Sequence, residues 1–366
     1  MESCDVVPAT QLAIGPGRPG RAGLLEPAVA APVMARSTLR ATLSSLSGPF
    51  RALRVWREGA ALAPALLALG ALGGTLALFA VLASVEGSWR GWDPAACLRL
   101  PRGCFCERPL EGSLVKQPAN TFSNLAFSLT GCVVLLEAGA QHERLREQRR
   151  EQRRARASEE EALALAFTVV FGLANLALGL GSGLFHASLA LPFEVFDNVA
   201  MYMIVGAPLL YAAAELRLAR RAARRAAPPT RHAARFVAQY VLLVALCALP
   251  SALAPDSRLR HAVFPALLAA TLFAELAARS AVPRRAVLAD ARALVGAALS
   301  FSISFFLWTL DRQGVVCDPD DHVVQLHSAW HLGTALASLQ LLLYYHPLLF
   351  GRPKGPAPQG APWIII

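Results

Sequence analysis

Charge is scarce in this sequence. Only 16% of its 366 residues are charged, where a soluble domain carries about a quarter. Apolar residues make up 55% and mean hydropathy is +0.44, so a soluble enzyme is excluded. Segments of about ten residues with alternating polarity are missing, which excludes a membrane β-barrel. Cysteine is sparse, with seven residues and no C-x-x-C pair, which excludes a zinc ribbon or a dense disulfide scaffold. No internal repeat or pair of broken helices points to a transporter. The net charge of +10 does not mark a nucleic-acid surface, because the arginines lie in short runs between apolar blocks, the pattern that sets membrane topology. No nucleic-acid partner is expected.

What is present is a series of apolar blocks, each near the roughly 20 residues that span a bilayer as helix. Eight are placed, at 61–84, 120–140, 162–187, 194–216, 233–253, 261–279, 292–311 and 326–349. The fold class is therefore all-α, a polytopic membrane protein with a seven-transmembrane-helix core and one extra N-terminal transmembrane helix. Residues 1–60, rich in Gly, Pro, Ala and Arg, read as a flexible cytoplasmic tail, with Met34 an alternative start. The block at 61–84 is too long for a signal-peptide core and reads as an uncleaved anchor, despite a weak cleavage pattern at Val81-Leu82-Ala83. Residues 85–119 form an exoplasmic segment, 120–350 the seven-helix core, and 351–366 a cytoplasmic tail.

Arginines fix the orientation. They crowd the linkers 141–161, 217–232 and 279–292, which therefore face the cytoplasm together with both termini. The linkers 85–119, 188–193, 254–260 and 312–325 are then exoplasmic. The mixed-charge stretch from Glu143 to Glu161 reads as a solvated extension of the neighbouring helices.

Ionisable groups inside spans are costly and mark function. His186 ends one span, Asp197 starts the next, and His327 and His331 start the last, all at span ends on the exoplasmic side. His327 and His331 are four apart and share a helix face; Ser182 and His186 repeat that spacing among glycines that permit close helix approach. Three histidines and a water make an open catalytic zinc site. Read singly, each histidine is also compatible with an interhelical hydrogen bond, and Ser182 with simple packing. Asp311, one turn after Trp308, is either an acceptor for a metal-bound histidine or a helix-end carboxylate in water. Asn124 and Asn175 are expected to stitch helices together, and Cys132 and Cys247 to pack within spans.

The ordered set Cys106-Glu107, Asn120-Thr121-Phe122-Ser123-Asn124, Gly181 to Ala187, Asp197, Trp308-Thr309-Leu310-Asp311, Cys317 and Leu326 to His331 resembles the alkaline ceramidase family. That family belongs to a superfamily of seven-helix membrane hydrolases that includes the adiponectin and progestin receptors. The resemblance covers about 104 to 345 and leaves out the first span. It implies Zn2+ held by His186, His327 and His331, with Ser182 and Asp197 completing the catalytic cluster, and a membrane lipid, ceramide or another N-acyl lipid, as substrate. It also implies a disulfide between Cys106 and Cys317. Cys97 and Cys104 are a second candidate pair, with free interfacial thiols as the alternative. The family's calcium site is an acidic run on its first core span plus a later glutamate. Here those positions read Cys104-Phe105-Cys106-Glu107-Arg108-Pro109 and Gln117, so Ca2+ is not expected.

The leading expectation is thus a hydrolase of linear amides. Its rivals are a zinc-containing receptor or scaffold and a Ser-His intramembrane protease, the latter suggested by Gly179-Leu180-Gly181-Ser182-Gly183. The expected location is an inner membrane if the chain is bacterial, and the ER or Golgi membrane if it is eukaryotic.

Overall fold

The computed structural model describes residues 89, 91–99, 103–151, 159–224, 231–254, 258–282 and 291–350, with isolated positions between 70 and 81. The N-terminal tail, most of the expected first span at 61–84 and the C-terminal tail lie outside the described residues. The described residues form helices without a strand; a single bridge pairs Pro94 with Ala190.

Eight helices follow in order: α1 (Pro118–Ser123), α2 (Leu125–Glu151), α3 (Glu159–Ser188), α4 (Leu191–Ala223), α5 (His232–Leu253), α6 (Arg258–Ala281), α7 (Ala291–Gln313) and α8 (Leu326–Phe350). Helix α1 opens on Pro118, whose missing N–H costs nothing in a first turn, and it breaks from α2 at Asn124. Together α1 and α2 make one span. At 1.5 Å per residue, α4 with its 33 residues is about 50 Å long, well beyond a hydrocarbon core of about 30 Å. Arg217, Arg220 and Arg221 fill its last turns.

Six of these spans are long and apolar enough to cross a membrane, which makes the protein a multi-pass membrane protein. Helix α8 is as long, at 25 residues, and carries His327, His331, Gln340, Tyr344, Tyr345 and His346 among its apolar residues.

Helix α3 is the hub, packed against α1, α2, α4, α5 and α8, while α7 leans chiefly on α8. The central core is aromatic: Phe167 stacks on Phe171 and Tyr211, and Tyr345 meets Phe167 edge-on. Glycines set the spacing around α3. A Cβ on Gly179 would strike Ser128 of α2, and one on Gly181 would press on the Phe196 ring and the Asp197 amide of α4. Helices α5, α6 and α7 turn Val241, Leu246, Phe273, Ile303 and Phe306 outward, the surface expected to face lipid.

The described residues between 89 and 117, with a short 3-10 helix at Ala96–Arg99, form a cap that closes one end of the bundle. The Trp89 indole N–H donates to Leu114 O at 2.9 Å. The Ala96 N–H donates to Glu194 at 2.6 Å, and Glu194 pairs with Arg260 at 3.0 Å, both buried. Two disulfides, Cys97–Cys104 and Cys106–Cys317, lock the cap. The second requires an even number of crossings between its cysteines, and the six spans from α1/α2 to α7 satisfy it.

Candidate metal centre

Three helix ends deliver the candidate residues. Helix α3 carries Ser182 and, one turn later, His186; it stops at Ser188 as Leu189 takes the left-handed backbone at φ 50°. Helix α8 brings His327 and His331 in its first two turns, and α4 brings Asp197. Gly181 lets α4 approach closely, which sets Asp197 beside Ser182. Ser182 and all three histidines are buried, whereas Asp197 keeps partial exposure.

The imidazoles converge, with one ring nitrogen of each lying within 4.8 Å of the others. His186 Nε2 and His327 Nε2 are 3.2 Å apart, close to the roughly 3.3 Å that separates two nitrogens on one tetrahedral zinc. The outer nitrogens fix which lone pairs are free. Gln117 Nε2 donates to Glu107 O at 2.6 Å, so Gln117 Oε1, at 2.8 Å, must accept from His186 Nδ1. Ser123 Oγ donates to Asn120 O at 3.0 Å and lies 2.8 Å from His331 Nδ1. His186 thus presents Nε2 as an unprotonated donor, the state a metal requires, with an oriented partner behind its ring. The donor set fits zinc.

Phe105 covers the cap side of this cluster, its ring centroid 3.8 Å from that of His327 and 4.9 Å from that of His186. Arg312 donates to Cys104 O and lies 5.6 Å above the Phe105 ring. Asp311 accepts the Cys106 amide at 3.3 Å, a bond to main chain rather than to an imidazole. Asp311 Oδ1 and His327 Nδ1 are each buried without a hydrogen-bond partner.

The position that the resemblance gives to calcium is organised differently. The Glu107 carboxylate accepts the Ala119 and Asn120 amides at 2.9 and 3.0 Å and pairs with His322 at 3.2 Å. One carboxylate committed to a helix N-terminus and an imidazole does not fit calcium, which takes about six to eight oxygens.

Sequence reading did not identify the contacts of Gln117 and Ser123 with the histidines, the stacking of Phe105, or the Glu194–Arg260 pair. Gln117 and Ser123 lay within segments already singled out, but a side chain's partner 69 or 208 residues away is not written in local pattern. Asn124, expected to join helices, does so by placing Nδ2 3.3 Å from His331 Nδ1. Asn175 receives the Ser338 hydroxyl at 2.8 Å.

The family model for ceramidases matches residues 105–355, well over half of the chain and the whole described bundle from Phe105 onward. No curated protein matches the chain. With that match laid over the three-histidine cluster, the chain belongs to the ceramidase family.

Proposed function

We propose that this protein is a zinc-dependent amidase of the membrane, hydrolysing the N-acyl bond of ceramide or a related N-acyl lipid to a fatty acid and a sphingoid base or other amine. The observation that carries the reading is the convergence of three buried histidines, with Ser182 and Asp197 set beside each other, in a chain of the ceramidase family.

His186, His327 and His331 would hold the zinc. When bound, it supplies Lewis acidity, polarising a carbonyl and lowering the pKa of water toward about 7. Asp197 is the general base: its carboxylate accepts a proton from the attacking water and returns it to the departing amine as the C–N bond breaks. Ser182, one turn from His186, donates a hydrogen bond to the oxyanion that develops on the acyl carbon or orients the water. It is set beside Asp197, and no described hydrogen bond joins it to a histidine, which argues against a Ser-His protease. Retention of both residues argues against a receptor that keeps zinc only as a structural staple.

Both termini face the cytoplasm in this proposal, and the site faces the exoplasm. The basic linkers support it, as do two disulfides on the same side as the histidines, since such bonds persist outside the reducing cytosol. The domain scheme is a cytoplasmic tail at 1–60, an additional span at 61–84, an exoplasmic segment at 85–119, the catalytic core at 120–350 and a second tail at 351–366.

The test is to incubate the protein in detergent with a panel of N-acyl lipids and to quantify free fatty acid with and without a zinc chelator. Metal-dependent release from at least one lipid is expected. No release from any of them, despite one bound zinc per chain, would replace the amidase with the receptor or scaffold reading.

A further inference from the structure

Gln117 stands where the cap becomes α1, and its side chain is 1% exposed. Burying an amide is costly unless each of its polar ends is bonded, and here both are. Oε1 accepts from His186 Nδ1 at 2.8 Å, and Nε2 donates to Glu107 O at 2.6 Å. The main chain is tied in the same place: the Gln117 N–H donates to His186 O at 3.2 Å, Lys116 N–H to Ala187 O at 3.0 Å, and Gln117 O accepts the Thr121 N–H at 2.8 Å. Glu107 is itself immobilised by the first amides of α1 and by His322. A rigid carbonyl therefore dictates which way the Gln117 amide points, and that amide dictates which nitrogen of His186 carries the proton.

We infer that Gln117 is a positioning residue of the metal centre, holding His186 in the tautomer and ring orientation that leave Nε2 as the ligand atom. The inference rests on the metal-centre reading above. It makes the cap part of the site: the chain Glu107, Gln117, His186 joins the cap to the metal-binding nitrogen by two hydrogen bonds.

Two nearly isosteric variants separate positioning from mere support. Gln117→Met removes both hydrogen bonds, whereas Gln117→Glu keeps an acceptor for His186 Nδ1 and loses only the donation to Glu107. Zinc affinity, measured by competition with a chromogenic chelator, should fall about 10–100-fold in Gln117→Met and stay within about threefold of wild type in Gln117→Glu. The unfolding temperatures of both zinc-free variants should drop, because both lose the bond to Glu107. Equal weakening of zinc binding in both variants, or none in Gln117→Met, would overturn the inference while leaving the metal centre standing. A wild-type protein that binds no zinc would overturn the metal-centre reading, and this inference with it. Nitrogen-15 NMR of histidine-labelled wild type needs no variant: it should show His186 protonated on Nδ1 in the zinc-free and zinc-loaded protein, and a proton on Nε2 in the zinc-free protein would be decisive against it.

Discussion

His186 and His327, 141 residues apart in the chain, face each other through their Nε2 atoms at 3.2 Å. His186 carries its proton on Nδ1, so its Nε2 offers a lone pair to this contact, and in the proposed site that lone pair is taken by a cation shared with His327 and His331. His327→Ala or His331→Ala leaves two ligands, and zinc content measured by atomic emission should fall from one per chain to background. That loss exceeds the 10–100-fold expected for a residue behind a ligand. Full zinc retention in either variant would remove that histidine from the site.

In the proposed mechanism Asp197 acts on the proton and not on the metal. Asp197→Asn should keep zinc and lose about 10²–10⁴-fold in turnover. Ser182→Ala should keep zinc and lose about 10²-fold, the scale of one oxyanion donor. Assaying fatty-acid release beside metal content checks both, and normal turnover in Asp197→Asn would move the base elsewhere.

Calcium should be irrelevant. The Glu107 carboxylate is occupied by α1 and His322, so a calcium-selective chelator should leave fatty-acid release unchanged while a zinc chelator abolishes it. Activity that rises with added calcium would show that ligands beyond Glu107 assemble at the cap.

The buried pair of Glu194 and Arg260 joins the start of α4 to the start of α6, with the cap tied in through the Ala96 amide. Breaking such a pair strands a charge and costs about 3–5 kcal/mol. Glu194→Gln and Arg260→Met should each lower the unfolding temperature in detergent, and the double variant should recover much of the loss. A double variant as unstable as the sum of the singles would mean that the two residues act independently.

The helices were legible because a bilayer imposes one length and one polarity on every span. The expected spans 233–253 and 292–311 lie within two residues of the ends of α5 and α7. The larger misses lie outside the apolar windows. Helix α4 runs on to Ala223, past the expected end at 216, because charged residues that mark a linker in hydropathy are also good helix formers once a helix has begun; α2 runs on to Glu151, in line with the helical reading of Glu143 to Glu161. The break at Asn124 escaped notice because averaging over a window smooths a single residue. Among the site residues, the histidines and Asp197 declared themselves as ionisable groups in apolar surroundings. Gln117 and Ser123 are uncharged and stand outside or at the edge of the apolar blocks, and only the fold brings them behind the rings they orient.

The bond between Cys106 and Cys317 spans 211 residues, and six membrane crossings intervene between its two thiols. During synthesis the first thiol must therefore wait, unpaired, until nearly the whole bundle has been threaded into the bilayer. Its neighbour Cys104 has a partner only seven residues away in Cys97, so the short loop can close while translation continues and removes Cys104 as a competitor. The long-range bond then acts as a receipt for completed insertion. A chain stalled or truncated before Cys317 keeps a naked thiol at Cys106, a chemical label that distinguishes an unfinished molecule from a finished one.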